Sequence, residues 1–142
     1  MSYILTDEQV VSALRSVVEE NPEKVYEAPI NMRSSTDKNQ CYYVHRAEDG
    51  TEECGCLVGT VLHRLGVSLA DLAKAETLGA TVALSRAGVV GVSYRVASLL
   101  AHAQRDQDQG RTWSEALKKA VTADAELHST PLPGCGQELA AA

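Results

Sequence analysis

The stretch Cys41–Gly66, CYYVHRAEDGTEECGCLVGTVLHRLG, decides how this chain is read, because the apolar rhythm changes period within it. Its start, in QCYYVHR, is rich in the Tyr and Val that strands favour, and Asp49-Gly50 is a pair suited to turning a hairpin. From Cys56 onward, Leu57, Val58, Val61, Leu62 and Leu65 fall on one face of a helix that Gly66 ends. The spacing predicts a hairpin feeding a buried helix. The same stretch holds three of the four cysteines and two of the four histidines, so chemistry is sought there first.

Working outward toward the N-terminus, Thr6 with Gln9 forms a capping box, and Val10, Val11, Leu14, Val17 and Val18 then repeat at helical spacing. This predicts a helix over about 7–20, stopped by Asn21 and Pro22. KVYEAPI reads as a short extended piece and NMRSSTDKNQ as a polar loop. Toward the C-terminus, Ser68 with Asp71 opens a third helix, and TLGATVALSRAG reads as a fourth that Gly88 ends. Ser93 caps a long helix with Val96, Leu99, Leu100 and Ala103 toward the core. That helix runs into RDQDQG, read as a solvated end before Gly110. Thr112 and Glu115 form a capping box for a last helix over about 113–126. The remainder, HSTPLPGCGQELAAA, reads as loose. The expectation is an α+β fold, mainly α, of about five helices with a small antiparallel β-hairpin or sheet. Residues 1–128 are expected to form a single globular domain and 129–142 a flexible C-terminal tail. No βαβ alternation is present, which argues against a doubly wound sheet.

A chain of 142 residues is long enough for one domain with a real core. With 44% hydrophobic and 23% charged residues it has the balance of a folded globular protein. There is no Phe, so the core falls to Val, Leu and Ala. Nineteen acidic against thirteen basic residues give a net charge of −6, which disfavours nucleic acid and anionic membrane surfaces as partners. The N-terminus lacks a basic stretch ahead of a long apolar run, and no window approaches the ~20 apolar residues of a membrane span. A cytoplasmic protein with reduced cysteines is expected.

Three readings compete for the cysteines. A zinc site of Cys41, His45, Cys54 and Cys56 fails on spacing: on a strand Cys41 and His45 lie about 13 Å apart, too far for bonds of ~2.0–2.3 Å to one ion. His63 lies about 10 Å of helix rise beyond Cys56, so no metal is expected. In the second reading Cys54 or Cys56 is a nucleophile at a helix N-terminus, with free N–H groups as an oxyanion hole and His45 as its base. In the third, which is favoured, Cys41 and Cys56 are small buried hydrophobes at the joint of hairpin and helix. Gly55 and Gly59 then allow close approach, and Tyr43 shares a strand face with Cys41 and His45 and closes over the joint. No catalytic residue follows from that reading.

Elsewhere, LGVSLADLAKAETLGATVALSRAG has the rhythm of a helix-turn-helix, but its second helix offers only Thr81, Ser85 and Arg86 to bases, so a plain helical hairpin is favoured. Trp113, the one tryptophan, follows an exposed turn with Arg111. It either packs inward as a staple, the favoured place, or anchors an interface together with Arg111. No glycine-rich phosphate loop, nucleophile elbow or carboxylate pair stands out, and no cofactor is expected.

The segments KVYEAP, CYYVH, CLVGTVLHRLGVSLADL and AQRDQDQGRTWSEALKKA together resemble a group of small uncharacterised proteins encoded by phages of actinobacteria. The likeness runs from the first helix to residue 121. Its most specific pieces are Cys56-Leu57-Val58-Gly59 and Gln107-Asp108-Gln109-Gly110-Arg111-Thr112-Trp113. It implies a small phage protein at work in the host cytoplasm. Joined to the absence of a catalytic set in the sequence, it gives the functional expectation: a non-enzymatic protein that binds a host or phage protein. A homodimer is the second expected assembly, because short apolar helices often leave a face to bury. A cysteine-dependent enzyme or thiol switch using Cys54, Cys56 and His45 is the alternative.

Overall fold

The computed structural model of the chain describes residues 2–33, 41–76 and 78–133. Among these, six α-helices and two pairs of short strands occur in the order β1 (Tyr3–Ile4), α1 (Asp7–Glu20), β2 (Val44–Arg46), β3 (Glu52–Cys54), α2 (Leu57–Arg64), α3 (Leu69–Ala73), α4 (Ala80–Arg86), β4 (Val89–Val90), α5 (Tyr94–Asp108) and α6 (Trp113–Leu127). A 3-10 turn at Ile30–Met32 lies between α1 and β2. The architecture is mainly α with a few strands, and the helices start where the capping chemistry puts them. Thr6 and Thr112 each close a reciprocal capping box, with Gln9 and Glu115 respectively. Ser68 and Ser93 accept from the backbone N–H groups of Asp71 and Val96.

The hairpin forms around the Asp49-Gly50 turn, where Gly50 takes φ +88° and the register is Val44↔Cys54, His45↔Glu53 and Arg46↔Glu52. The strand is shorter than QCYYVHR suggests. It begins only at Val44, and Tyr43 is a bend whose N–H donates to the Glu76 carboxylate. Cys41, Tyr43 and His45 therefore do not share one face of a continuous strand. A second pairing was not anticipated: β1 runs parallel to β4, with Tyr3↔Val89 and Ile4↔Val90 in register. Two residues per strand are too few to show an alternation, and nothing local links positions so far apart in sequence.

α1 packs against α2, α5 and α6, and α4 against α5. The core between them is built from Val10, Val11, Leu14 and Val17 of α1, Leu57, Val58 and Val61 of α2, and Val96 and Leu100 of α5, all fully buried. α5 and α6 form an antiparallel hairpin whose turn passes through Gly110 at φ +89°. The chain beyond α6 departs from the expected loose tail. Leu132 is only 5% exposed and belongs to the core, and Arg95 donates to the Thr130 hydroxyl and carbonyl oxygens at 3.0 and 2.7 Å. The remaining part of that tail, 134–142 with Cys135, lies outside the described residues, as does most of the polar loop at 34–40.

Candidate functional site

The cysteine joint is closed by Tyr43 together with Gln104 and Gln107 of α5, whose inward role was not expected. Cys56 is the N-cap residue of α2 and is fully buried. The first two helical N–H groups behind it, the donors an oxyanion hole would need, are already taken. Leu57 N donates to Gln107 Oε1 at 2.7 Å, and Val58 N donates to Gln104 Oε1 at 3.2 Å. Gln104 in turn donates through Nε2 to the Tyr43 hydroxyl at 2.9 Å, which donates to the Leu78 carbonyl at 2.8 Å. Gln107 Nε2 donates to Asp108 Oδ1 at 2.8 Å. The α2 N-terminus is thus satisfied by α5, because buried backbone donors need partners.

The thiols behave accordingly. The Cys41 thiol is held far above the ordinary thiol range, first by its hydrogen bond with the Cys56 side chain and then by burial, which suppresses the nucleophilic thiolate. His45 is not poised as a base for either sulfur. Its Nε2 shares a hydrogen bond with the Tyr26 hydroxyl at 2.9 Å, and its ring lies against the Gly55 backbone. Burial holds the His45 pKa below its usual value, with Glu53 opposing and Lys24 assisting. Burial likewise pushes the Tyr26 and Tyr43 hydroxyls up, so both stay protonated donors. Gly59 presses against Tyr43, where a Cβ would come 2.7 Å from the Tyr43 carbonyl oxygen. Cys54 is half-buried and ends β3 opposite Val44. Among the described residues no group of three or more His, Cys, Asp or Glu side chains is arranged to hold a metal ion.

The polar run RDQDQG is not the solvated helix end its composition implied. Gln107 is fully buried, and Gln104 and Asp106 are nearly so. One signal was present in the sequence: Gln107 follows Val96, Leu100 and Ala103 at helical steps, so it continues the core stripe of α5. Trp113 takes the inward place. It is fully buried, and the Lys24 ammonium sits 4.6 Å from its ring centroid, a cation–π distance. Its Nε1 has no hydrogen-bond partner. Arg111 turns toward the buried Asp106 carboxylate, 3.7 Å away, on which His102 Nδ1 also converges at 3.0 Å. Neither contact counts as a hydrogen bond, so Asp106 Oδ2, His102 Nδ1 and Arg111 Nε are buried polar atoms without a hydrogen-bond partner, and Arg111 acts on Asp106 through its charge.

One open surface lies along the outer seam of α5 and α6. At one end a cavity of about 710 Å³ is walled by Tyr94, Leu99, Ala120, Ala123 and Leu127, above the Arg95–Asp124 ion pair at 2.7 Å. At the end near the helix turn a second cavity, about 670 Å³, is lined by Arg105, Asp106, Lys118, Lys119, Thr122 and Glu126. His102 and Ala123 border both, making one groove with an apolar half and a charged half. No helix among the described residues is long and apolar enough to cross a membrane. No family model, curated protein or solved structure matches this chain.

Proposed function

We propose that this protein is a small, non-enzymatic phage-encoded protein that acts in the host cytoplasm by binding a host or phage protein, with no metal or organic cofactor. The observation that carries this reading is the apolar half of the α5–α6 groove. Tyr94 and Leu127, at 82% and 80% exposure, flank a cavity between α5 and α6 whose lining reaches down to the buried core residues Leu99 and Ala120. Large apolar side chains gathered on a soluble surface mark interaction sites. The packing of the cysteine joint supports the same reading, because its thiols, glutamines and tyrosines bond to one another. The phage origin rests on the resemblance of the segments quoted above.

Affinity capture from actinobacterial lysate with and without phage infection, combined with sedimentation analysis, tests this. The expected result is one protein retained by the native chain and lost with Leu127→Glu, or a dimer lost with the same substitution. A strict monomer that retains nothing overturns it. Iodoacetamide labelling against pH separates it from thiol chemistry: Cys41 is expected to label slowly up to high pH, and Cys56 to label slowly because it is fully buried. Fast labelling of Cys54 or Cys56 at neutral pH would favour an enzyme or thiol switch.

A further inference from the structure

We infer that the α5–α6 groove receives an acidic amphipathic helix of the protein partner, its apolar stripe on Tyr94 and Leu127 and its carboxylates on Arg105, Lys118 and Lys119. The inference rests on the binding reading above and supplies the partner's chemistry.

The argument starts from how this chain spends its cations. Every other described lysine and arginine except Arg86 is in an ion pair or, for Lys24, lies on the Trp113 ring. Among the described residues Arg105, Lys118 and Lys119 have neither an ion pair nor a hydrogen bond. All three border the 670 Å³ cavity. In a chain of net charge −6, carboxylates are plentiful, yet none among the described residues forms an ion pair with these three positive groups. Four acidic groups stand near them, of which Glu19, sharing a cavity with Lys118 between α1 and α6, is held by Arg15. Asp106 is buried and faces Arg111 and His102, and Glu115 is held by the Thr112 capping box while lying close enough to Lys119 to feel its charge. Glu126 is exposed on the rim and works against an anion at that point only. The turn end of the groove therefore presents positive charge that the neighbouring carboxylates offset only in part, and an anion supplied from outside gains most there.

The shape selects the kind of anion. A small ion such as phosphate would occupy the cationic half and leave the adjoining apolar 710 Å³ empty. Two antiparallel 15-residue helices, each about 22 Å long, present a seam of the length and curvature into which a third helix packs. Along α5 the positions facing the seam, Tyr94, Ser98, His102 and Arg105, follow helical steps from the apolar end of the groove to its cationic end. A partner helix of about four turns, apolar at i, i+3 and i+4 and acidic toward one end, complements both halves.

A displayed library of random helical peptides, selected against the intact protein, tests this without knowledge of the natural partner. The expected pool is acidic with an apolar stripe, and its leading peptide shifts the amide resonances of α5 and α6. The triple variant R105E/K118E/K119E should weaken that peptide by roughly tenfold or more and flatten its salt dependence. The variant R86E, which reverses the other unpaired cation but lies on α4, should leave binding unchanged. A neutral or basic pool, indifference to the triple reversal, or an equal loss with R86E overturns the inference. So does pyrophosphate that shifts the same resonances while no peptide is selected, which would make this a small-anion site. A natural partner captured equally by the native chain and the triple variant sinks this inference but spares the binding reading. An empty pool together with no captured partner and no self-association sinks both.

Discussion

At the scale of single residues, the joint between hairpin and α2 depends on the absence of a side chain at Gly59. Glycine inside a helix ordinarily costs about 1 kcal/mol relative to alanine, so Gly→Ala on an open helix surface stabilises. Here the added Cβ would meet the Tyr43 carbonyl oxygen at 2.7 Å and Tyr43 Cα at 3.1 Å, both backbone atoms with little room to yield. Gly59→Ala is therefore expected to destabilise by about 1–3 kcal/mol, reversing the usual sign, as read from the urea midpoint. His45 supplies a pH dependence. Its folded pKa is depressed by burial, so below the unfolded value of about 6.5 the unfolded chain binds the extra proton. The contribution is fully present above that pH and is lost as pH falls through the window down to the folded pKa. Stability measured from pH 7.5 to 5 should fall, and His45→Gln should flatten that part of the curve.

At the scale of elements, the link between α2 and α5 is made by two amides. Gln104 and Gln107 reach from one helix to the first two N–H groups of the other, and Gln104 continues to Tyr43 in the segment before β2. Replacing Gln107 with leucine keeps much of the volume but leaves the buried Leu57 N–H without an acceptor. A loss of about 1–3 kcal/mol is expected in equilibrium unfolding. The α2 amides should also exchange faster with solvent hydrogen. The capping signals, the helical stripes and the Asp49-Gly50 turn were legible in the sequence because each is settled within a few residues. The role of the glutamines was not. An amide capping another helix has the same composition as an amide in water, and only the stripe from Val96 to Gln107 hinted at the inward face.

For the molecule as a whole, the α5–α6 hairpin closes one side and the chain after α6 seals its end. Arg95 holds Asp124 through two bonds, at 2.9 and 2.7 Å, and holds Thr130 through two more, while Leu132 enters the core. Arg95 and Asp124 are largely shielded from water, so removing one partner leaves a charge uncompensated. Arg95→Met should cost about 3 kcal/mol and release 129–133, giving earlier cleavage after α6 in limited proteolysis. The apolar half of the groove rests on this ion pair, so the same variant should also weaken any partner seated there.

The sequence by itself determined where helices begin and end, that strands are few, and that the thiols sit where hairpin meets helix, because caps, turns and periodicity act over one or two turns of chain. The tertiary structure alone decided that β1 pairs with β4, that two glutamines occupy the N-terminus of α2, that the segment after α6 docks, and that three unpaired cations converge beside an apolar cavity. Those outcomes depend on which distant surfaces meet, and residue type carries no record of that meeting until the chain has closed on itself.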